Sequence, residues 1–250
     1  MPFAVSTTDL TVTYGGTLAL DRLSIEVPTG SSVAVIGPNG CGKSTLLKAL
    51  AGIVEPTSGS FATPPGPPAI VLQSTDIDRN VPISARETVQ MARYASLGLL
   101  VRFRSADHDA VNTALHRMRI EDLADRQIHH MSGGQRQRVL VAQGLAQESP
   151  ALLLDEPLTG LDVTSRQVIL EVLDDEHAAG RTTVTSTHNF QDARRCDLVL
   201  LLATRAIAFG EPDEVLTEEN LCEAFGGKFV RIGDTLLLDD PHHNHHDHAH

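Results

Sequence analysis

The chain has no tryptophan, two tyrosines and only three cysteines among 250 residues. Cys41, Cys196 and Cys222 stand far apart without C-x-x-C spacing, which argues against a disulfide framework and suits a reducing cytosol. Long apolar runs are also missing. The longest, residues 198–203, falls far short of the roughly 20 residues that span a bilayer and suits a buried strand. The opening MPFAVSTTDL lacks the basic start and apolar core of a secretory leader. Lysine is limited to Lys43, Lys48 and Lys228, and acidic residues exceed basic ones to a net charge of −12. Arginines cluster locally, as in Arg136 and Arg138, but the overall balance points away from nucleic acid, which calls for a basic face. The length is ample for a buried core in one large or two small domains.

What the chain does have is concentrated in residues 33–51, VAVIGPNGCGKSTLLKALA. The apolar run ending at Ile36 breaks into Gly37, Pro38, Asn39, Gly40, Cys41, Gly42, Lys43, Ser44 and Thr45, which fits G-x-x-x-x-G-K-[ST] at every fixed position. Helical spacing follows at Leu46, Leu47, Leu50 and Ile53. Strand, glycine-rich loop and helix in that order make a phosphate cradle. The glycines let successive N–H groups turn inward, and the helix adds the positive end of its dipole. Lys43 brings a charge to the outer phosphates and Ser44 a hydroxyl ligand for Mg²⁺. Among those donors the thiol of Cys41 is expected to be more acidic than usual and open to thiol reagents.

Residues 4–28 alternate apolar and polar around Gly15 and Gly16, the pattern of a half-buried antiparallel hairpin. Continuous apolar or β-branched texture at residues 33–36, 69–72, 151–154, 182–185 and 198–202 predicts strands of a mainly parallel α/β sheet. Gly37, Gln73, Asp155 and His188 then fall at the carboxyl ends of strands, where such sheets bind ligands. Residues 61–69 read as a stiff Pro-rich loop. Residues 83–130 read as a helical insertion, with Ser105 as a helix cap. Residues 152–157, LLLDEP, bring two carboxylates to the sheet edge. Asp155 is placed to hold Mg²⁺, and Glu156 to orient or deprotonate a water.

These motifs together resemble the nucleotide-binding subunit of an ABC transporter over roughly residues 5–225. Met131, Ser132, Gly133, Gly134 and Gln135 resemble the family's LSGGQ signature with one apolar exchange. Gly160-Leu161-Asp162 is similar to its D-loop, Thr187-His188-Asn189 to its switch histidine, and Gln73 to its Q-loop glutamine. Tyr14 stands where the family has an aromatic that stacks on adenine. The resemblance implies a P-loop NTPase core with a mixed, mainly parallel sheet, an N-terminal antiparallel β subdomain and an inserted helical subdomain. It divides the chain into an ATP-binding core (1–82 and 139–225), a helical signature subdomain (83–138) and a C-terminal extension (226–250). It further implies ATP and Mg²⁺ as cofactors, with Ser44, Gln73 and Asp155 around the metal and Glu156, His188 and Gln73 in catalysis. Ser132, Gly133, Gly134, Gln135 and Asp162 would complete the ATP site of a second copy. A homodimer on the cytoplasmic face of the membrane is implied, with permease subunits and an extracytoplasmic substrate-binding protein.

The stretch after Gln73, with Val81-Pro82-Ile83 and Met91-Ala92-Arg93-Tyr94, resembles the ATPases of manganese, zinc and iron importers. Siderophore and haem importers, and ABC ATPases that regulate rather than transport, are the alternatives. The end of the chain, PHHNHHDHAH, carries His242, His243, His245, His246, His248 and His250. Imidazoles in that density suit a transition-metal-binding segment, against an inert end or a residual purification tag.

Overall fold

The computed structural model of the chain describes residues 3–63, 66–73, 82–97, 102–226, 229–232 and 235–238. The histidine-rich tail lies outside the described residues, as do Val81 and the segment just after Gln73.

Strands β1 (Phe3–Tyr14) and β2 (Thr17–Pro28) form the expected hairpin, turning at Gly15 and Gly16. Both glycines have positive φ, which a two-residue hairpin turn requires. Strand β3 (Ser32–Ile36) is buried throughout and leads through the glycine loop into α1 (Lys43–Leu50). Leu46, Leu47 and Leu50 are fully buried, worth about 1.5–3 kcal/mol each by the usual burial scale. The helix ends earlier than the spacing suggested, and Ile53 lies beyond it, 55% exposed. Strand β4 (Ser58–Ala62) adds to β1, giving a three-stranded antiparallel sheet. It takes Phe61 and Ala62 out of the expected loop.

Strand β5 (Ala69–Val71) precedes the helical region, formed by α2 (Ala85–Leu97), α3 (Ser105–Arg117) and α4 (Gly133–Ala146). Ser105 is not the cap of α3. Arg104 holds that position, and the carboxylate of Asp107 accepts its N–H at 2.8 Å. The rest follows as β6 (Ala151–Asp155), α5 (Val163–Ala178), β7 (Thr182–Ser186), α6 (Phe190–Ala193), β8 (Leu198–Ala203), β9 (Arg205–Gly210), α7 (Pro212–Val215) and α8 (Glu218–Phe225). A last hairpin pairs β10 (Phe229–Ile232) with β11 (Thr235–Leu238).

The main sheet runs β5-β6-β7-β3-β8-β9, parallel except for β9 at one edge. Its central strands are buried on both faces, and period-two alternation sorts their side chains. Val33, Val35, Leu153, Val184, Leu200 and Leu202 face α1 and the antiparallel sheet. Ala34, Ile36, Val199 and Leu201 face the cluster that holds α6–α8. Leu152 and Leu154 face a core that continues without a break into α2, α3, α4 and α5. The helical insertion therefore shares one core with the sheet. The boundary expected between residues 138 and 139 falls inside α4, a single helix.

Helix α4 comes close to the sheet at Gly144. A β-carbon there would stand 2.7 Å from Cγ2 of Val71 and 3.0 Å from Cδ1 of Leu152. Two ionic clusters, each around a buried carboxylate, brace the helices. Arg93 of α2 bonds Asp107 at 2.8 Å, Glu148 at 2.7 Å and the carbonyl of Ala146 at 2.9 Å. Glu176 near the end of α5, almost without solvent contact, is held between Arg117 of α3 and Arg181, the latter at 2.8 Å.

Candidate functional site

The phosphate loop owes its shape to close backbone approaches. A β-carbon on Gly37 would stand 1.9 Å from the carbonyl of Leu202. One on Gly42, at φ 104°, would stand 2.4 Å from the carbonyl of Ala19. Only glycine fits either place. Thr204, in the turn after β8, donates its N–H to the Cys41 carbonyl at 3.0 Å and accepts the N–H of Asp21 at 2.8 Å. The loop is thus tied to the outer sheet through a residue that sequence alone did not single out. No side chain caps the start of α1 and no acid sits in its first turn, so its N–H groups are left for an anion. Lys43 is buried, and its ammonium donates to the carbonyls of Gly37 at 2.7 Å and Pro38 at 3.1 Å. Cys41 departs from expectation. Burial pushes its thiol above the usual value, outweighing the nearby Lys43 ammonium, and the side chain is 5% exposed.

Pairing register sets the catalytic edge. Val35 and Asp155 both lie level with Ser186 of the strand between them. Gly37, Glu156 and His188 therefore leave the sheet at one edge, with Gln73 just past β5. Glu156 has φ 48°, a left-handed conformation that costs on the order of 1–3 kcal/mol outside glycine and is held only where its surroundings fix it. Three groups converge on its Oε2: Thr159 Oγ1 donates at 3.2 Å, Gln73 Nε2 donates at 3.5 Å, and His188 Nδ1 lies at 3.9 Å. Ser44, Gln73 and Asp155 supply hard oxygen donors of the kind Mg²⁺ takes, and the uncapped α1 start fits the phosphates beside it. Among the described residues no three His, Cys, Asp or Glu side chains gather as a separate metal site. Tyr14 ends β1 with 48% of its surface open, so its ring is available for stacking.

The signature forms a second constellation. Ser132 caps α4 in a reciprocal box, its hydroxyl accepting the Gln135 N–H at 3.2 Å while the Gln135 side chain accepts the Ser132 N–H at 3.0 Å. Gln135 is thus engaged in the cap itself. Met131, the exchanged residue, is buried in the helical core. Asp162 caps α5 by accepting the Ser165 N–H at 2.9 Å. That N–H, with the Ser165 hydroxyl and Arg138, holds its carboxyl below the usual range. Among the described residues no hydrogen bond or ion pair joins residues 132–135 to residues 37–45.

Beyond Gln73, Pro82 and Ile83 are described and Ile83 packs on the helical core. Arg93 is turned inward to the cluster that ties α2 to α3 and α4, while Met91 and Tyr94 are exposed. The Tyr94 ring lies 4.8 Å from that of Phe103. Among the described residues no helix is long and apolar enough to cross a membrane.

Residues 20–159 match the family model described as ABC transporter. The chain is 36% identical to the ATP-binding protein of a manganese transport system from Bacillus subtilis (strain 168), over 95% of this chain and 98% of that one. It is 35% identical to the ATP-binding protein of a zinc transport system from Treponema pallidum (strain Nichols), over 94% and 90%. Among solved structures it is similar to a metal-chelate type ABC transporter in an inward-facing conformation. The TM-score is 0.82 and the identity 32%, over 92% of this chain and 91% of that one.

Proposed function

The chain belongs to the ABC transporter family, and from that premise we propose that it is the ATP-hydrolysing subunit of an importer for a divalent transition-metal ion. The convergence of Gln73, Thr159 and His188 on one oxygen of Glu156, beside Asp155 and the phosphate loop, is the observation that carries the ATPase reading.

Lys43 exchanges its bonds to the Gly37 and Pro38 carbonyls for phosphate oxygens, and the N–H groups of α1 close around the same anion. Tyr14 stacks on adenine. Ser44, Gln73 and Asp155 would hold Mg²⁺. The chemistry that Mg²⁺ supplies when bound is neutralisation of charge between the outer phosphates. Glu156 takes the proton of the attacking water, and His188 and Gln73 hold the γ-phosphate and that water in place. Ser132, Gly133 and Gly134 of a second copy complete the site, so two chains enclose two nucleotides with Asp162 and the exposed Val163 near the seam.

Met91, Tyr94 and Phe103 supply an apolar contact for integral-membrane permease subunits, which keeps the protein on the cytoplasmic face of the membrane. A substrate-binding protein outside the membrane delivers the ion. The manganese and zinc relatives, matched over nearly their whole length, support the metal cargo. Uptake of radiolabelled Mn²⁺, Zn²⁺ and Fe²⁺ by vesicles carrying the reconstituted complex tests it. ATP-dependent uptake of at least one ion supports the reading, and uptake of haem or a ferric siderophore alone replaces it with the chelate alternative.

A further inference from the structure

We propose that Ser186 is a positioning residue that sets the direction of the Asp155 carboxylate and locks the backbone of Glu156 for catalysis. Its hydroxyl is fully buried and used in both senses. It donates to Oδ1 of Asp155 at 2.6 Å and accepts the N–H of Glu156 at 2.8 Å. The two bonds have different consequences.

The first fixes one oxygen of Asp155 on the β7 side and so sets where the other points. Asp155 has several staggered side-chain orientations open to it at a strand end. A buried hydroxyl from the neighbouring strand selects one of them. The second bond acts on the residue after the strand. At Glu156, the first residue past β6, the chain turns into the left-handed region, and its N–H has no ladder partner on β7. Ser186 takes that N–H instead, so the otherwise strained turn is satisfied where it begins. Asp155 and Ser186 are directly paired across β6 and β7, so one side chain reaches both targets without moving either strand. The same strand continues through Thr187, whose N–H bonds the Val35 carbonyl at 3.0 Å, into His188. One hydroxyl thereby ties the metal-holding acid and the water-orienting acid to the chain that leads into His188.

The inference rests on the roles proposed above for Asp155 and Glu156. The test is Ser186→Ala in the full chain, compared with Asp155→Asn. Phosphate release is titrated with Mg²⁺, and binding of a fluorescent ATP analogue is measured with and without Mg²⁺. In Ser186→Ala, kcat is expected to fall roughly 10–100-fold, the scale of a misplaced catalytic group. Half-saturating Mg²⁺ should rise several-fold, and nucleotide affinity without Mg²⁺ should stay within about twofold. Unchanged kcat and Mg²⁺ requirement overturn the proposal. Parallel losses of metal-free nucleotide binding and turnover, with a lowered melting temperature, also overturn it, because they mark a merely structural residue. If Asp155→Asn leaves the Mg²⁺ requirement unchanged, the underlying reading of Asp155 fails instead. That failure is visible whatever Ser186→Ala does.

Discussion

Gly134 of the signature lies directly against Asp162. A β-carbon at Gly134 would stand 2.4 Å from Oδ2 of Asp162 and 2.4 Å from Oγ of Ser165, so the helix start at Ser132 and the cap of α5 are in contact within one chain. A β-carbon at Gly133, one residue earlier, would meet nothing within 4 Å. Adjacent glycines thus have different duties. Gly134→Ala should destabilise the isolated chain by about 1–3 kcal/mol, the usual cost of overpacking. Gly133→Ala should leave urea unfolding within about 0.5 kcal/mol of the parent, as open positions do, while still slowing ATP turnover. Equal unfolding midpoints for the two variants would remove the packing role of Gly134.

Glu156→Gln keeps the size of the side chain and its contacts with Gln73 and Thr159 but removes the base. ATP should still bind, and phosphate release should slow by roughly 10²–10⁴. Near-normal turnover in the purified assembly would transfer the proton-accepting role elsewhere.

The thiols separate by environment. Burial pushes Cys41 up, and burial pushes Cys196 up to about 12, helped by Asp197 and Asp192. At pH 8 a thiol of pKa about 12 is roughly one part in 10⁴ thiolate, too little for fast reaction. The folded chain should therefore show no rapid labelling at Cys41 or Cys196. Cys41→Ala should leave the fast phase of an Ellman titration unchanged. Rapid loss of ATPase activity that Cys41→Ala abolishes would restore the acidic-thiol expectation.

Acid should weaken the helical region at Asp107. Its carboxyl is held below the usual range, chiefly by the Arg104 N–H and then by the Arg93 side chain. A group lowered in the folded state stabilises fully above its unfolded value, near pH 4, and loses that contribution as pH falls through the folded value. Asp107→Asn should be less stable at pH 7 and should lose less further stability between pH 5 and pH 3 than the parent. Chemical unfolding at several pH values reads the difference, and parallel curves would discard the assignment.

Arg166 of α5 pairs with Asp192 of α6, a partly buried contact that braces the segment carrying His188. Arg166→Ala leaves the largely buried Asp192 carboxylate without this ion pair, so turnover should fall while nucleotide binding holds. A double-mutant cycle with Asp192→Asn should return a coupling of about 0.5–3 kcal/mol. Strict additivity would show the pair to be incidental.

The sequence carried the phosphate loop and the parallel strands because their signals are local. Residues 33–36 are uniformly apolar before a glycine-dense turn, and β6 ends on two acids. Strands β4 and β9 were missed. The first is mostly serine and glycine, and the second is a half-buried edge without clean alternation. Ser186 was missed for another reason. Within TVTSTH it reads as one more hydroxyl of a β-branched strand, and its partners come from a strand far off in sequence. The available clue was register, since a serine level with Asp155 on the next parallel strand must bury a hydroxyl beside a carboxylate. Cys41 misled because loop composition says nothing of depth.

Gly144 sets how near α4 lies to the sheet. There the helix lies against Val71 and Leu152, while the signature lies at its opposite end. Eleven residues of helix, about 16 Å, separate the two. A side chain larger than a hydrogen at Gly144 would push α4 off β5 and β6, and a rigid helix would pass that shift to Gly133 at its other end.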